Sequence, residues 1–75
     1  MRIQIYGKPG CTKCHMTQRL MKNADYTELQ LDSPLFEMFR AQGVRAMPVV
    51  QVFDDKNELI DEWSDFQVAK IKQYS

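Results

Sequence analysis

The sequence lacks the features that mark membrane-spanning and nucleic-acid-binding proteins. No apolar run approaches the ~20 residues that a membrane-spanning helix needs, so we expect no membrane association. Ten Lys and Arg residues balance ten Asp and Glu residues. No basic stripe is interleaved with aromatic residues, so we expect no nucleic-acid partner. The apolar stretch in MRIQIYGKPG is short and broken by Gln4, unlike that of a signal peptide. The expected location is therefore cytoplasmic.

Metal-ligating residues are also scarce. The chain has two cysteines, Cys11 and Cys14, and one histidine, His15. A closed structural zinc site takes four ligands, so a zinc ribbon within one subunit is excluded and we expect no metal ligands. A metal or iron–sulfur cluster shared between two subunits remains an alternative. The Cys-x-x-Cys-His string also matches the haem attachment pattern, but the clear strand patterns and the absence of an export signal argue against that interpretation.

The length and the apolar pattern predict one α/β domain over residues 1–75. Alternating or continuous runs of apolar residues predict strands at about 2–6, 26–31, 48–53 and 58–63. Apolar residues at three- and four-residue steps predict helices at about 12–23, 34–42 and 65–72. The order β-α-β-α-β-β-α predicts a four-stranded mixed sheet covered by three helices. Ser33 is the expected N-cap of the second helix. Ser64 and Gln67 form an expected capping box for the third, with Trp63 and Val68 as its hydrophobic staple.

The two cysteines lie where a redox couple would be expected. A turn, Gly7-Lys8-Pro9-Gly10, connects the first strand to Cys11, so the pair is placed at the N-terminus of the first helix. A thiolate there is stabilised by unpaired backbone N–H groups and the helix dipole, with added support from Lys8 and Lys13. We expect Cys11, which comes first, to attack with a pKa below the ~8.5 of a free thiol. We expect Cys14, one turn into the helix, to be the resolving thiol.

Met47-Pro48 directly precedes the apolar third strand. Proline cannot donate to a sheet ladder, so it marks the entrance of this strand. An ordinary trans bond is the common arrangement at such a position. A cis bond would instead leave the Met47 backbone free to pair with a partner's chain beside the thiols.

These segments together resemble the thioredoxin superfamily and, within it, the NrdH-type redoxins. The resemblance covers nearly the whole chain and rests on MRIQIY, CTKCHMTQRLM, RAQGVRAMPVV and WSDF. It implies the minimal thioredoxin fold and a thiol–disulfide oxidoreductase without a bound cofactor. It further implies that electrons come from NADPH through thioredoxin reductase and pass to a class Ib ribonucleotide reductase. The expected oligomeric state is a monomer.

The resemblance also implies roles for individual residues. Cys11 is the expected nucleophile, Cys14 the resolving thiol and Pro48 the cis-proline. The segment from Trp63 to Phe66 belongs to a network that ties the last helix down near the partner surface, although plain core packing would equally explain both aromatic residues. Contacts with partners or substrates are expected from Lys8, Thr12, Lys13, Met47, Pro48, Trp63, Ser64 and Phe66.

The sequence departs from the family pattern in ways that bear on partner choice. Members commonly have WSGF followed by Arg-Pro, whereas here Asp65 replaces the glycine and Gln67-Val68 follow. Thr12-Lys13 replaces a hydrophobic or methionine residue followed by glutamine. A glutathione-dependent glutaredoxin is the second hypothesis, with Lys8 and Arg45 available to bind the carboxylates of glutathione. Against it, Trp63-Ser64-Asp65 stands where glutaredoxins usually carry a Gly-Gly/Asp segment.

Overall fold

The strands and helices follow one another along the chain in the predicted order. The computed structural model describes residues 1–75. Its elements are β1 (Arg2–Gly7), α1 (Thr12–Leu20), β2 (Asp25–Glu28), α2 (Pro34–Ala41), β3 (Val49–Phe53), β4 (Leu59–Ser64) and α3 (Val68–Tyr74). The predicted fold class, a four-stranded mixed sheet with three helices, is confirmed. None of the helices combines the length and apolar character needed to cross a bilayer.

The sheet has the strand order β2-β1-β3-β4, so β1 and β3 lie in its centre. The helical crossover through α1 brings β2 parallel to β1, with Ile5 opposite Tyr26. Both β1 and β4 run antiparallel to β3. Because the central strands are flanked on both edges, Ile5, Val50 and Val52 have no solvent exposure. The loops after β1 and before β3 therefore extend from the two central strands of the sheet.

Two apolar clusters form the core. The alternation of side chains along a strand sends Val49 and Val50 into different clusters. The first cluster consists of Ile5, Met21, Val50, Val52, Trp63 and Ile71. The second consists of Cys11, Cys14, Leu29, Phe39, Met47 and Val49. Both cysteines are thus part of the core and not of a surface loop.

The boundaries of α1 and β2 differ from the sequence prediction. α1 ends at Leu20 and not near residue 23, since Met21 leaves the helical conformation at φ −109° and ψ 69°. Met21 is instead packed in the first core cluster. β2 begins at Asp25 and ends at Glu28, so Leu29 lies beyond the strand, where its N–H donates to the Gly7 carbonyl at 2.7 Å. Packing of Met21 against the sheet sets the end of α1, and packing of Leu29 against the sheet sets the end of β2.

The predicted N-terminus of α2 is confirmed, whereas the predicted N-terminus of α3 is wrong. Ser33 Oγ accepts from the Phe36 N–H at 3.2 Å, as an N-cap does. Ser64, by contrast, caps no helix, because β4 continues to it through its pairing with Val49. α3 begins three residues later, with Gln67 as its N-cap. The Gln67 amide N–H₂ donates to the Ser64 carbonyl at 2.7 Å, so the predicted capping box is absent.

The predicted staple between Trp63 and Val68 is also wrong. Val68 is 45% exposed, while Trp63 is buried in the first cluster. With Gln67 as the N-cap, the staple positions are occupied by Phe66 and Ile71, and both pack in that same cluster. The later start of α3 therefore keeps the staple but moves it three residues along the chain.

Candidate active site

Cys11 is the N-cap residue of α1. It has extended backbone angles, φ −97° and ψ 105°, and its Sγ accepts from the Cys14 N–H at 3.2 Å. Gly10 makes the preceding turn possible, because its φ of +67° is readily adopted only by a residue without a Cβ. The first turn of α1 contains no acidic residue. The sulfur of Cys11 therefore lies where the helix terminus stabilises negative charge.

Cys11 and Cys14 form a disulfide, with a Cα–Cα distance of 5.3 Å. Cys11 retains 7% exposure, whereas Cys14 has none. The more exposed cysteine is thus the one at the helix terminus, and the other is part of the core.

The Met47-Pro48 peptide bond is cis. Met47 shares the second core cluster with Cys11 and is 6% exposed. Its backbone N–H and C=O take part in no hydrogen bond of the strand ladders or the loops. The Pro48 carbonyl, in contrast, accepts from the Asp65 N–H at 2.9 Å. The segment before β3 is therefore held at Pro48 and has free backbone groups at Met47.

Two of the departures from the family pattern, Lys13 and Asp65, lie in contact. Lys13 Nζ donates to Asp65 Oδ1 at 2.9 Å, and the same oxygen accepts from the Phe66 N–H at 2.7 Å. These two hydrogen bonds hold the pKa of Asp65 below its usual value, and the bond from Lys13 is the larger cause. Asp65 also has a φ of +74°, the left-handed region that favours the glycine of the family pattern. Lys13 is therefore paired and is not a free charge beside the thiols.

The remaining predicted residues of this region have different surroundings. Trp63 is buried and stacks on Tyr74, with ring centroids 5.8 Å apart. Phe66 packs on the same cluster and Ser64 is half-buried at the end of β4. Thr12 is exposed as the first residue of α1. Trp63 and Phe66 thus anchor α3 from inside, and Thr12 is available on the surface.

A groove of about 430 Å³ borders the active site. Lys8, from the turn before Cys11, and Met47, from the cis-proline segment, both line it. The structure also brings Arg45 to this groove, together with the apolar side chains of Phe36 and Phe39. Lys8 and Arg45 form no ion pair within the chain. The sequence analysis had named these two cations together as possible ligands for carboxylates, but it had missed the apolar side chains that line the same groove.

Tyr26 is a further residue that the sequence analysis missed. Its hydroxyl group is buried without a hydrogen-bond partner, and its ring stacks on His15 at 6.1 Å between centroids. Burial, and then the negative charge of Glu28, raise the pKa of Tyr26 above its usual value. A tyrosine opposite Ile5 on the neighbouring strand could have been noticed only once the register was known.

No group of three or more His, Cys, Asp or Glu side chains is arranged to hold a metal ion. His15 is exposed, and its ring faces Tyr26 and not a second nitrogen or sulfur ligand.

The chain is similar to curated proteins over almost its entire length, although no known family profile matches it. It is 43% identical to the glutaredoxin-like protein NrdH of Escherichia coli strain K12 over 97% of this chain and 88% of that protein. It is 34% identical to the glutaredoxin-like protein NrdH of Salmonella typhimurium over the same shares. Identity of this extent shows common family membership.

Solved structures agree with this assignment. The E. coli NrdH-redoxin, a glutaredoxin-like protein with a thioredoxin-like activity profile, matches with a TM-score of 0.71 and 35% identity over 100% of this chain and 96% of that chain. The thioredoxin-like protein BC3987 matches with a TM-score of 0.61 at 20% identity over 99% of this chain and 100% of that chain, a similarity of fold. The chain therefore belongs to the NrdH family of glutaredoxin-like redoxins, and it is a thioredoxin-fold thiol–disulfide oxidoreductase with Cys11 and Cys14 as its redox disulfide.

Proposed function

We propose that this protein is a dithiol electron donor, reduced by NADPH through thioredoxin reductase, that reduces a class Ib ribonucleotide reductase. The observation that carries the proposal is the position of Cys11, whose Sγ accepts from the Cys14 N–H at 3.2 Å at the start of α1. Family membership supports it, as does the thioredoxin-like activity profile of the E. coli relative.

The proposed reaction is a pair of thiol–disulfide exchanges. The Cys11 thiolate attacks one sulfur of the substrate disulfide, which forms a mixed disulfide and expels the other substrate sulfur as a thiolate. Cys14 then loses its proton and attacks the Cys11 sulfur, which releases the second substrate thiolate and leaves the Cys11–Cys14 disulfide. Two electrons pass to the substrate, whose two thiolates take up protons. Thioredoxin reductase restores the dithiol with two electrons from NADPH.

The groove beside Cys11 supports docking of an extended peptide. The free N–H and C=O of Met47 are suited to pair with the backbone of such a peptide next to its disulfide. Lys8 and Arg45, unpaired at the groove, favour a partner that carries carboxylates near its cysteines. Thr12, the residue after Cys11, is exposed. We infer that a monomer docks its partners through this surface.

A coupled assay tests the proposal. NADPH oxidation is followed with thioredoxin reductase, this protein and a class Ib ribonucleotide reductase as the terminal acceptor. Cys11→Ser should abolish turnover, whereas Cys14→Ser should accumulate a mixed disulfide visible by mass spectrometry. Equal residual turnover in both variants would contradict the assigned order. Wild-type protein that accepts no electrons from thioredoxin reductase would contradict the proposed electron source.

A glutathione-dependent glutaredoxin is the second candidate. It is favoured by the presence of Lys8 and Arg45 in a single groove, because both could bind the carboxylates of glutathione. Against it, Asp65 adds a carboxylate next to Pro48, whose carbonyl accepts from the Asp65 N–H, and that carboxylate already pairs with Lys13. Glutathione with glutathione reductase and NADPH forms the second arm of the assay. Turnover in that arm alone would favour this candidate.

A further inference from the structure

The hydroxyl group of Tyr26 is an unexplained polar group inside the oxidised protein. It is buried and has no hydrogen-bond partner. Buried hydroxyl groups are nearly always paired, because an unpaired one loses its bonds to water without compensation. A state of the protein that supplies a partner to this hydroxyl would remove that cost.

Gly7 shows where this hydroxyl lies relative to the redox site. A Cβ at Gly7 would be 2.7 Å from Tyr26 Cζ and 3.0 Å from Cys14 Cβ, so both side chains occupy the space above the same glycine. Cys14 has no solvent exposure. The ring of His15 stacks on the Tyr26 ring and covers it from α1. The phenol and the Cys14 side chain are therefore neighbours in a region closed to solvent.

The Cys14 sulfur changes as an acceptor during the redox cycle. In the disulfide it is a weak acceptor, bonded to Cys11. Reduction frees it as a thiol, and loss of the proton makes it a thiolate, a far stronger acceptor. We propose that the Tyr26 hydroxyl donates a hydrogen bond to the freed Cys14 sulfur and stabilises the resolving thiolate. This inference rests on the proposed role of Cys14 in the second exchange.

The surroundings favour Tyr26 for this role over other groups. In its cluster Cys14 is accompanied by Leu29, Phe39, Met47 and Val49, whose side chains have no N–H or O–H group to donate. The other charged and titratable groups on β1, α1 and β2 are Arg2, Tyr6, Lys13, His15, Arg19, Asp25 and Glu28. Lys8 precedes α1, and Asp65 pairs with Lys13. The raised pKa of Tyr26 keeps its proton in place at neutral pH. Tyr26 is thus a positioning residue that donates without transferring its proton.

The test compares Tyr26→Phe with the wild type in a redox buffer of dithiothreitol. The variant keeps the ring and loses only the hydroxyl. We expect the equilibrium constant to move about tenfold toward the disulfide, which corresponds to a reduction potential about 30 mV more negative. In the Cys11→Ser background, the same change should raise the pH midpoint of Cys14 alkylation by about one unit. Tyr6→Phe is the matched control, because Tyr6 packs on the same cluster beside Phe39 and should leave both values unchanged.

The outcomes separate this inference from the proposed function. If Tyr26→Phe changes only the free energy of unfolding, equally in both redox states, the potential stays constant and the inference is overturned. If the potential shifts as expected and Cys14→Ser traps the mixed disulfide, both proposals stand. If Cys14→Ser traps no mixed disulfide, the assigned order fails whatever the effect of Tyr26→Phe on the potential.

Discussion

Replacement of Gly7 by alanine tests the packing beneath the redox site. The new methyl group would lie 2.7 Å from Tyr26 Cζ and 3.0 Å from Cys14 Cβ, and real Cβ contacts are essentially never shorter than 3.0 Å. Gly7 has no positive φ, so its backbone accepts alanine and only the contact is unfavourable. Overpacking of this kind costs ~1–3 kcal/mol. We expect the upper part of that range, because a ring and a core cysteine must both move.

The loss should be visible in thermal unfolding. In a domain of this size each 1 kcal/mol lowers the Tm by about 4–8 °C, so Gly7→Ala should lower it by roughly 10–20 °C. Gly10→Ala is the control, since Gly10 has open space around it and a φ of +67°. It should cost only ~1 kcal/mol of backbone strain.

A double-mutant cycle identifies the clash. In a Tyr26→Ala background, the ring that meets the new methyl group is gone, so Gly7→Ala should cost much less than in the wild type. Two results would refute the reasoning: a free energy of unfolding for Gly7→Ala within ~0.5 kcal/mol of wild type, or an equal cost in both backgrounds.

Three further predictions concern the surface. The hydrogen bond from Lys70, and to a smaller extent that from Tyr74, lowers the pKa of Asp61. The Asp61 carboxylate therefore stabilises the fold at pH values above the ordinary carboxyl pKa of about 3.9. This stabilisation disappears as the pH falls through the lowered pKa. The bond to Asp61 in turn raises the pKa of Tyr74, and that contribution is lost at alkaline pH above about 10. The free energy of unfolding of Asp61→Asn, measured in urea, should therefore fall least below that of the wild type at the lowest and highest pH. A difference between the two proteins that stays constant with pH would contradict this. Ser33→Ala should cost ~1 kcal/mol through loss of the α2 cap, while no change in the urea midpoint would refute the capping role. Asp65→Asn frees the charge of Lys13 and should lower the pH midpoint of Cys11 alkylation by a few tenths of a unit. Lys13→Gln should raise this midpoint. Shifts of the same sign would rule out that Asp65 compensates the charge of Lys13.

Local patterns in the sequence were sufficient for the fold class and for the redox couple. The turn residues before Cys11 and the helical spacing after it place the thiols at a strand–helix junction, and no distant contact is needed for that conclusion. Ser33 could likewise be recognised as a cap because its partner, the Phe36 N–H, is three residues away. Features that depend on neighbours in sequence are those that periodicity can predict.

Element ends depended on tertiary packing. β4 continues to Ser64 because it pairs with Val49, and this pairing overrode a capping signal that was sound by itself. The cis bond before Pro48 was one of two arrangements that the sequence left open. The register of β4 against β3 decides where β4 ends, and no short window of sequence contains that register.

By itself, then, the sequence determined which atoms do the chemistry: two sulfur atoms, three residues apart, at the start of a helix. The tertiary structure alone decided what surrounds them. Lys13 meets Asp65 across 52 residues of chain, and Tyr26 lies over Gly7 beside Cys14. Such contacts come from the parallel pairing of β1 with β2 and from the return of the chain after β4. They are non-local, so only the folded chain reveals the groups that tune the sulfur atoms.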